Sequence, residues 1–254
     1  MAASAAAGAR TLEPMIAVVG GFGAALAWAL ATLAAARAAR VLGPWSTTAL
    51  VVFVGLLVTL PIVVLEAPDE PVATEDLAWL TVAGLGYAVG MIFNYSALAG
   101  GKVPVTAPIV STEGAIAATL AILTGEAATP LLLVTLALIA VGVFTVALRP
   151  GGGADTLSGV GARYVLYAVM AASIFGIGLY GAGRASDGVP PSFVAVAGRV
   201  AGVALFTLPL ALTRRLRFER AMWPFLVFAG VAEVAGHYLF ALGASDSIAV
   251  TAVL

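Results

Sequence analysis

Long apolar runs dominate the chain, and short polar or glycine-rich segments separate them. Two of these runs, residues 103–124 and 130–148, are joined only by residues 125–129. Each run supplies about the 20 residues that a helix needs to cross a hydrocarbon core of about 30 Å. So short a connection predicts that the two helices are antiparallel neighbours.

The same criterion predicts eight complete membrane spans and the start of a ninth at Ile248. Prolines stand at or near the starts of many spans, where a missing backbone N–H costs little. The first span is too long for a signal peptide, so we interpret it as a retained helix. The spans cover approximately residues 15–36, 45–65, 77–99, 103–124, 130–148, 162–183, 191–212 and 223–243.

Composition sets the class of protein. Of the 254 residues, 62% are hydrophobic and only 10% are charged, which predicts an all-α polytopic membrane protein. The absence of cysteine excludes disulfides, thiol nucleophiles and cysteine metal sites, and the single histidine excludes a histidine-rich metal site. No phosphate-binding loop, zinc pattern or nucleophile elbow occurs in a suitable setting, so we expect no cofactor or metal. Nothing indicates a nucleic-acid partner.

The two halves of the chain repeat one another. Thr-Leu-Pro occurs at residues 59–61 and again at 207–209, and Trp28 aligns with Phe175. We assign residues 11–150 to a first repeat, the glycine-rich residues 151–161 to a linker and residues 162–254 to a second repeat. An odd number of spans per repeat inverts the second copy, and transporters of that plan bind substrate near the membrane midplane. A duplication that no longer transports is the alternative.

A series of short motifs at the end of the first repeat resembles the EamA-type transporters of the drug/metabolite transporter (DMT) superfamily. In order, these motifs are Ala97-Leu98, a mid-span Glu113, Gly125-Glu126, Thr129-Pro130 and Gly142. The sequence departs from the family pattern at Gly114, where the family often has proline, and at Thr135, where it often has glycine. The resemblance covers most of the chain, in two copies.

The resemblance implies a ten-helix plan of two inverted five-helix repeats around a central cavity. The implied function is secondary active transport by alternating access, in particular export of an amino acid or an amphipathic drug-like compound. In this chain the second repeat has three helices and the start of a fourth, so the last one and a half helices of the plan are missing. We therefore expect the natural reading frame to continue for about 40 residues. A partner subunit in a homodimer could also cover the open side of the cavity.

Basic residues predict the orientation in the cell membrane. With sides numbered alternately, one side collects nine Arg and Lys residues and the other only Arg10 and Arg184. This places the first side in the cytoplasm and the N-terminus outside, whereas relatives in the resembled family usually have the N-terminus inside. The nine are Arg37, Arg40, Lys102, Arg149, Arg163, Arg214, Arg215, Arg217 and Arg220.

Glu113 is the leading candidate for chemistry because it is an ionisable residue near the middle of a predicted span. A carboxylate at that depth costs roughly 2.5–3.5 kcal/mol on insertion scales, so it requires an explanation. Such a group can couple proton movement to substrate movement. The alternative is a carboxyl group that hydrogen-bonds Ser111, Thr112 or another helix and only fixes the packing.

Glu233 and His237 are four residues apart on the eighth span and so share one helix face. They could form a proton relay or a polar substrate contact, or they could satisfy each other and only hold the helix in place. Arg199 is the one cationic residue in the interior of a predicted span, away from its ends. A permanent charge there must pair with a carboxylate such as Glu113 or Glu233, with a carbonyl, or with an anionic substrate.

Asn94 and Tyr87 on the third span, Trp28 on the first and Phe175 on the sixth complete the candidate site. In a cavity they would offer aromatic walls and a few hydrogen bonds to a small molecule. The alternative is that each is an ordinary core or interface residue.

Two other classes of function remain open at this point. An intramembrane lipid-modifying enzyme could use Glu233 and His237 as acid and base, with Arg199 holding a lipid phosphate. A membrane scaffold without transport activity would need none of these groups. Saturable, gradient-sensitive flux would separate a transporter from both, and product formation without flux would indicate the enzyme.

Overall fold

The computed structural model describes residues 2–68, 71–148 and 161–254. Asp69, Glu70, Arg149 and all of the predicted linker except Gly161 lie outside the described residues. All regular secondary structure in the described ranges is helical. We number the α-helices α1 (Ala2–Leu42), α2 (Pro44–Leu65), α3 (Thr74–Gly100), α4 (Val103–Val110), α5 (Glu113–Leu123), α6 (Pro130–Leu148), α7 (Ala162–Ala185), α8 (Pro191–Gly202), α9 (Leu208–Leu212), α10 (Trp223–Ala244) and α11 (Ile248–Val253).

Local sequence explains where the helices turn. A single residue, Gly43, connects α1 to α2; its φ of 83° is in the left-handed region that suits glycine. Pro44 then occupies the first turn of α2, where its missing N–H leaves no bond unmade. The last helix, α11, begins after Ser247, whose Oγ accepts a hydrogen bond of 3.1 Å from the Val250 N–H.

Seven helical stretches of the described residues are long and apolar enough to cross a membrane. They correspond to seven of the eight predicted spans. The remaining one, α6, is a helix over the predicted residues, and its apolar segment within the described side chains is the shorter Leu132–Gly142. The predicted class of an all-α polytopic membrane protein is therefore confirmed.

The fourth span is interrupted, whereas the sequence predicts one continuous helix over residues 103–124. It consists of α4 and α5, which meet at Ser111 and Thr112. The Ser111 hydroxyl donates to the Ala107 carbonyl at 3.0 Å and the Thr112 hydroxyl to the Ile109 carbonyl at 2.7 Å. These bonds compete with the regular helical ladder, and Pro108 also lacks an N–H for it.

The seventh span is also irregular. Between α8 and α9 the chain forms a π-helical turn over Val203–Thr207, just before Pro209. A proline at that position cannot donate to the preceding turn, and the wider π turn accommodates its ring. The Thr207 hydroxyl donates to the Ala49 carbonyl of α2 at 2.8 Å, which ties the irregular turn to a neighbouring helix.

Packing between the halves follows a reciprocal pattern. The first span of the first half, α1, packs along the third span of the second half, α10. In the same way, the first span of the second half, α7, packs along the third span of the first half, α3. The second spans of the two halves contact each other through α2 and α8. In addition, α2 contacts α10 and α8 contacts α3, the third span of the other half in each case. The fourth span obeys the same rule, since α5 packs on α7 and α11 packs on α1.

The helix ends gather at two ends of the bundle, which differ in charge. One end, here called the arginine end, carries Arg37, Arg40, Lys102, Arg163, Arg214, Arg215, Arg217 and Arg220. The opposite one, the acidic end, carries Glu66, Glu75, Asp76, Glu126 and Arg184. This division follows from the antiparallel course of successive spans and sets the frame for the site.

Candidate functional site

A cavity of about 580 Å³ lies between the two halves, in the middle of the bundle. This volume is within the range of small-molecule sites. Side chains from both halves line it, and seven of the eight sequence-predicted site residues are among them. These seven are Trp28, Tyr87, Asn94, Glu113, Phe175, Glu233 and His237.

Glu113 is the first residue of α5, directly after the interruption of the fourth span, and it lines the cavity. The hydroxyls of Ser111 and Thr112 donate to backbone carbonyls and not to Glu113. Within the described part of the chain, no hydrogen bond or ion pair engages the Glu113 carboxyl group. The packing alternative based on Ser111 and Thr112 is therefore not the arrangement that the structure has.

Glu233 and His237 face one another on α10 and are both buried. The Glu233 Oε2 is 3.9 Å from the His237 Nδ1, which is too long for a hydrogen bond. The Trp28 indole N–H donates to that same Nδ1 at 3.2 Å, and a guanidinium nitrogen of Arg199 approaches it to 3.3 Å. Both of these groups are donors only, so in these two contacts Nδ1 can only accept.

The remaining neighbour of Nδ1 is the Glu233 carbonyl oxygen at 2.9 Å, which could only accept. Two donors against one acceptor favour a lone pair on Nδ1 and the imidazole proton on Nε2. His237 is thus held by partners from α1 and α8 rather than by the Glu233 carboxyl group. The direct Glu233–His237 relay suggested by their spacing does not form as a hydrogen bond here.

Arg199 is fully buried but does not line the cavity. Its guanidinium lies over the Tyr87 ring, 4.4 Å from the ring centroid, and donates to the Ala195 carbonyl at 2.9 Å. No carboxylate oxygen of the described residues is within 4.0 Å of it, so the expected ion pair with Glu113 or Glu233 is absent there. Its Nε has no hydrogen-bond partner among the described residues.

Aromatic rings form much of the cavity wall, and two of them, Trp28 and Phe175, each pack against a glycine of a facing helix. Trp28 on α1 lies over Gly236 of α10, and Phe175 on α7 lies over Gly90 of α3. A methyl group at either glycine would overlap with the ring. Trp28 also packs edge-on against His237, with 5.1 Å between centroids, so the ring positions are fixed by contacts on several sides.

Asn94 adds an amide to the cavity from α3. It is only 6% exposed, yet its side chain makes no hydrogen bond with any described residue. Since a buried amide without a partner is costly, this arrangement leaves Asn94 available to something that occupies the cavity.

Polar contacts join the two halves at the acidic end of the bundle. The Glu126 carboxylate accepts from the Ala249 N–H at 3.1 Å and 3.2 Å and from the Ser247 hydroxyl, at the start of α11. The Tyr180 hydroxyl donates to Thr124 Oγ1 at 3.0 Å. The Tyr238 hydroxyl donates to Glu66, whose carboxyl pKa is consequently held below its ordinary value of 4.5.

Sequence reasoning overlooked several groups of this region. Phe240 lines the cavity and packs on Trp28 at 5.9 Å between centroids. It follows His237 by three residues, so helical spacing could have placed it on the same face. Glu126 appeared only as part of a motif, because nothing in the linear sequence shows that it reaches α11. The glycine seats likewise depend on which helices face each other.

The sequence matches the family model of EamA-like transporters over residues 15–148, which is more than half of the chain. No curated protein matches it. A solved structure described as a crystal structure of a protein aligns with a TM-score of 0.67 and 22% identity, covering 93% of this chain and 82% of that one. That identity supports the fold alone, whereas the family match establishes that this membrane protein belongs to the EamA-like transporter family of the DMT superfamily.

Proposed function

We propose that the protein is a secondary active transporter that exports a small metabolite or amphipathic compound through the central cavity by alternating access. The observation that carries the proposal is a cavity between the two halves with an unpaired carboxyl group, Glu113, and an unpaired amide, Asn94, in its lining. Polar groups without protein partners are expected where a ligand supplies the missing contacts. The family match supports the general class of activity.

The reciprocal packing supports an inverted-repeat mechanism. Contacts of α1 with α10 and of α7 with α3 exchange under a rotation that interchanges the two halves, and the α2–α8 contact maps onto itself. Such a rotation relates two repeats of opposite topology, and rocking of one repeat against the other moves the opening of the cavity from one side to the other.

The contacts at the acidic end support an export direction. There Glu126 and Thr124 of the first half bind α11 and Tyr180 of the second. If the arginine end is cytoplasmic, as the charge bias predicts, this arrangement is closed to the outside. Substrate would then enter the cavity from the cytoplasm.

Proton coupling is assigned to Glu113. Its carboxyl group is in the cavity, so a substrate and a proton would compete for the same oxygen atoms. The intramembrane enzyme alternative needs Arg199 at a lipid phosphate, and the burial of Arg199 outside the cavity lining gives it no support.

Flux measurements on purified protein in proteoliposomes test the proposal. A panel of radiolabelled amino acids and amphipathic drugs, measured with and without an imposed pH gradient, should give at least one saturable, gradient-sensitive flux. Glu113→Gln should fold and insert but lose the pH dependence, because glutamine cannot titrate. Glu219→Gln makes the same chemical change on an exposed loop and should behave as wild type. Unchanged pH-dependent flux in Glu113→Gln would exclude this coupling role.

A further inference from the structure

We infer that the cavity selects lipophilic compounds with a single positive charge and disfavours anions and zwitterions. This inference deepens the proposed function and rests on it for the claim that the bound compound is transported. Its basis is the distribution of charge, unpaired polar groups and aromatic surface in the described lining.

The described lining contains acidic groups and no basic one. Glu113 and Glu233 both line the cavity, and no Lys or Arg side chain is among the described lining residues. Arg199, the nearest candidate, is covered by the Tyr87 ring and bonded to the Ala195 carbonyl. A ligand carboxylate or phosphate would therefore find no cationic partner in the described lining, and would be repelled by either carboxyl group in its ionised form.

The polar groups that a cation needs are also unengaged. The Glu113 carboxyl group has no protein partner among the described residues, and the Asn94 side chain, at 6% exposure, has none either. Glu233, also 6% exposed, differs from these two because it lies beside the Tyr87 hydroxyl and 3.9 Å from the His237 Nδ1. Carboxylate and amide oxygens are acceptors, which suits an ammonium donor or a quaternary charge.

Aromatic walls complete the match to an organic cation. Trp28 and Phe175 come from opposite halves and both line the cavity. Aromatic faces attract cations and also pack against apolar ligand bodies, and tryptophan is the strongest of them. The cation side of Tyr87 is already occupied by Arg199, so Trp28 and Phe175 are the rings left for the ligand.

The charge balance indicates a single positive charge. With both carboxyl groups ionised, the buried charges of Glu113 and Glu233 exceed that of Arg199 by one. One ligand charge would neutralise this excess, whereas a zwitterion would bring an additional carboxylate into the site. The cost of an unpaired buried charge should therefore separate an amine from the corresponding amino acid.

Two matched ligand series test the selectivity in purified protein in detergent. The first is 2-phenylethylamine, phenylalanine and 3-phenylpropanoate, which share a phenyl body and differ in charge. The second is tetraphenylphosphonium and tetraphenylborate, which share shape and have opposite charge. Binding is measured by equilibrium dialysis against protein-free micelles, which corrects for partition into detergent. We expect each cation to bind at least about tenfold more tightly than its zwitterionic or anionic counterpart.

Variants identify the groups responsible. Glu113→Gln should weaken tetraphenylphosphonium binding by about tenfold or more. The same variant should not weaken the binding of tetraphenylborate. Glu219→Gln, the exposed control, should bind as wild type. Equal binding of cation and anion by the wild-type protein would overturn the inference, and this comparison needs no variant to fold. Equal tetraphenylphosphonium affinity in wild type and a folded Glu113→Gln would also overturn it.

Flux separates this inference from the proposed function. If the cations bind selectively but tetraphenylphosphonium shows no saturable flux in proteoliposomes, and the amino-acid and drug panel shows none, transport fails while the selectivity stands. If an anion or zwitterion carries the saturable flux, transport stands and the cation inference is overturned.

Discussion

The Arg199 guanidinium lies 4.4 Å from the centre of the Tyr87 ring, in the interior of the bundle and behind the cavity wall. Two glycines make the arrangement possible. A methyl group at Gly198 would overlap with the Tyr87 ring, and one at Gly55 would come within 3.1 Å of the Arg199 Cγ. The ring therefore shields a permanent charge from the cavity and supplies part of its stabilisation at a fully buried position.

This relationship predicts different effects for two substitutions of Tyr87. Tyr87→Phe keeps the ring and removes only a hydroxyl that lies beside the Glu233 carboxyl group without a hydrogen bond of regular geometry, so it should change stability by less than about 1 kcal/mol. Tyr87→Leu removes the cation–π contact and should cost about 2 kcal/mol or more. Thermal unfolding in detergent measures both, and equal loss in the two variants would contradict the role of the ring.

Gly114 allows the closest approach of the fourth span to α11. A methyl group there would overlap with the Ala252 carbonyl oxygen, and neither backbone can move aside cheaply. We expect Gly114→Ala to lower stability by about 1–3 kcal/mol. A methyl group at Gly142 of α6 would meet no atom within 4 Å, so Gly142→Ala is the matched control and should unfold close to the wild-type temperature. Similar losses in both variants would indicate a general intolerance of alanine instead.

Much of the fold follows from hydropathy because the length and apolar character of a span are local properties. The eight predicted spans correspond to helices, and α2 (Pro44–Leu65) matches its predicted range of 45–65 almost residue for residue. The interruption at Ser111 and Thr112 was not predicted, because hydropathy reports the apolar character of a span and not the hydrogen bonds of its backbone.

The sequence predicted which residues belong to the candidate site, but not how their side chains contact one another. Buried polar residues stand out in an apolar sequence, which is why Glu113, Glu233 and Asn94 were recognised and do line one cavity. Whether Arg199 pairs with a carboxylate depends on which helices are adjacent and on where glycines leave room. Those are tertiary relationships, and Arg199 on the Tyr87 ring is their result. The roles of these residues in transport stay predictions.

Glu66 at the acidic end predicts a pH dependence of stability. Its pKa is lowered chiefly by the hydrogen bond from the Tyr238 hydroxyl, so the ionised form favours the folded state. That contribution is fully present above the unfolded-state pKa, near 4.5, and is lost as the pH falls through the lower folded-state pKa. The relevant window therefore begins near that value and extends downward.

Tyr238→Phe removes the donor and keeps the ring. Above the window it should unfold at a slightly lower temperature than wild type, and the difference should shrink as the pH is lowered. Because Glu66 is partly exposed, we expect a difference of a few degrees at most. Unfolding curves recorded from neutral pH down to about pH 2.5 extend through this window and measure the difference. A difference that stays constant over this range would show that the hydroxyl acts through packing and not through the Glu66 charge.

The orientation in the membrane can be tested directly because the chain contains no cysteine. Ala67 is exposed at the acidic end, and Phe218 is 60% exposed in the loop at the arginine end. The charge bias of nine basic residues against two predicts that the acidic end faces outward. A membrane-impermeant maleimide should then label Ala67→Cys on intact cells and Phe218→Cys only after permeabilisation. The family's usual orientation, with the N-terminus inside, predicts the opposite labelling. Under that orientation the contacts of Glu126 with α11 would close the cytoplasmic side, and the cavity would load from outside. The same two variants therefore decide the orientation and test the export direction proposed from these contacts.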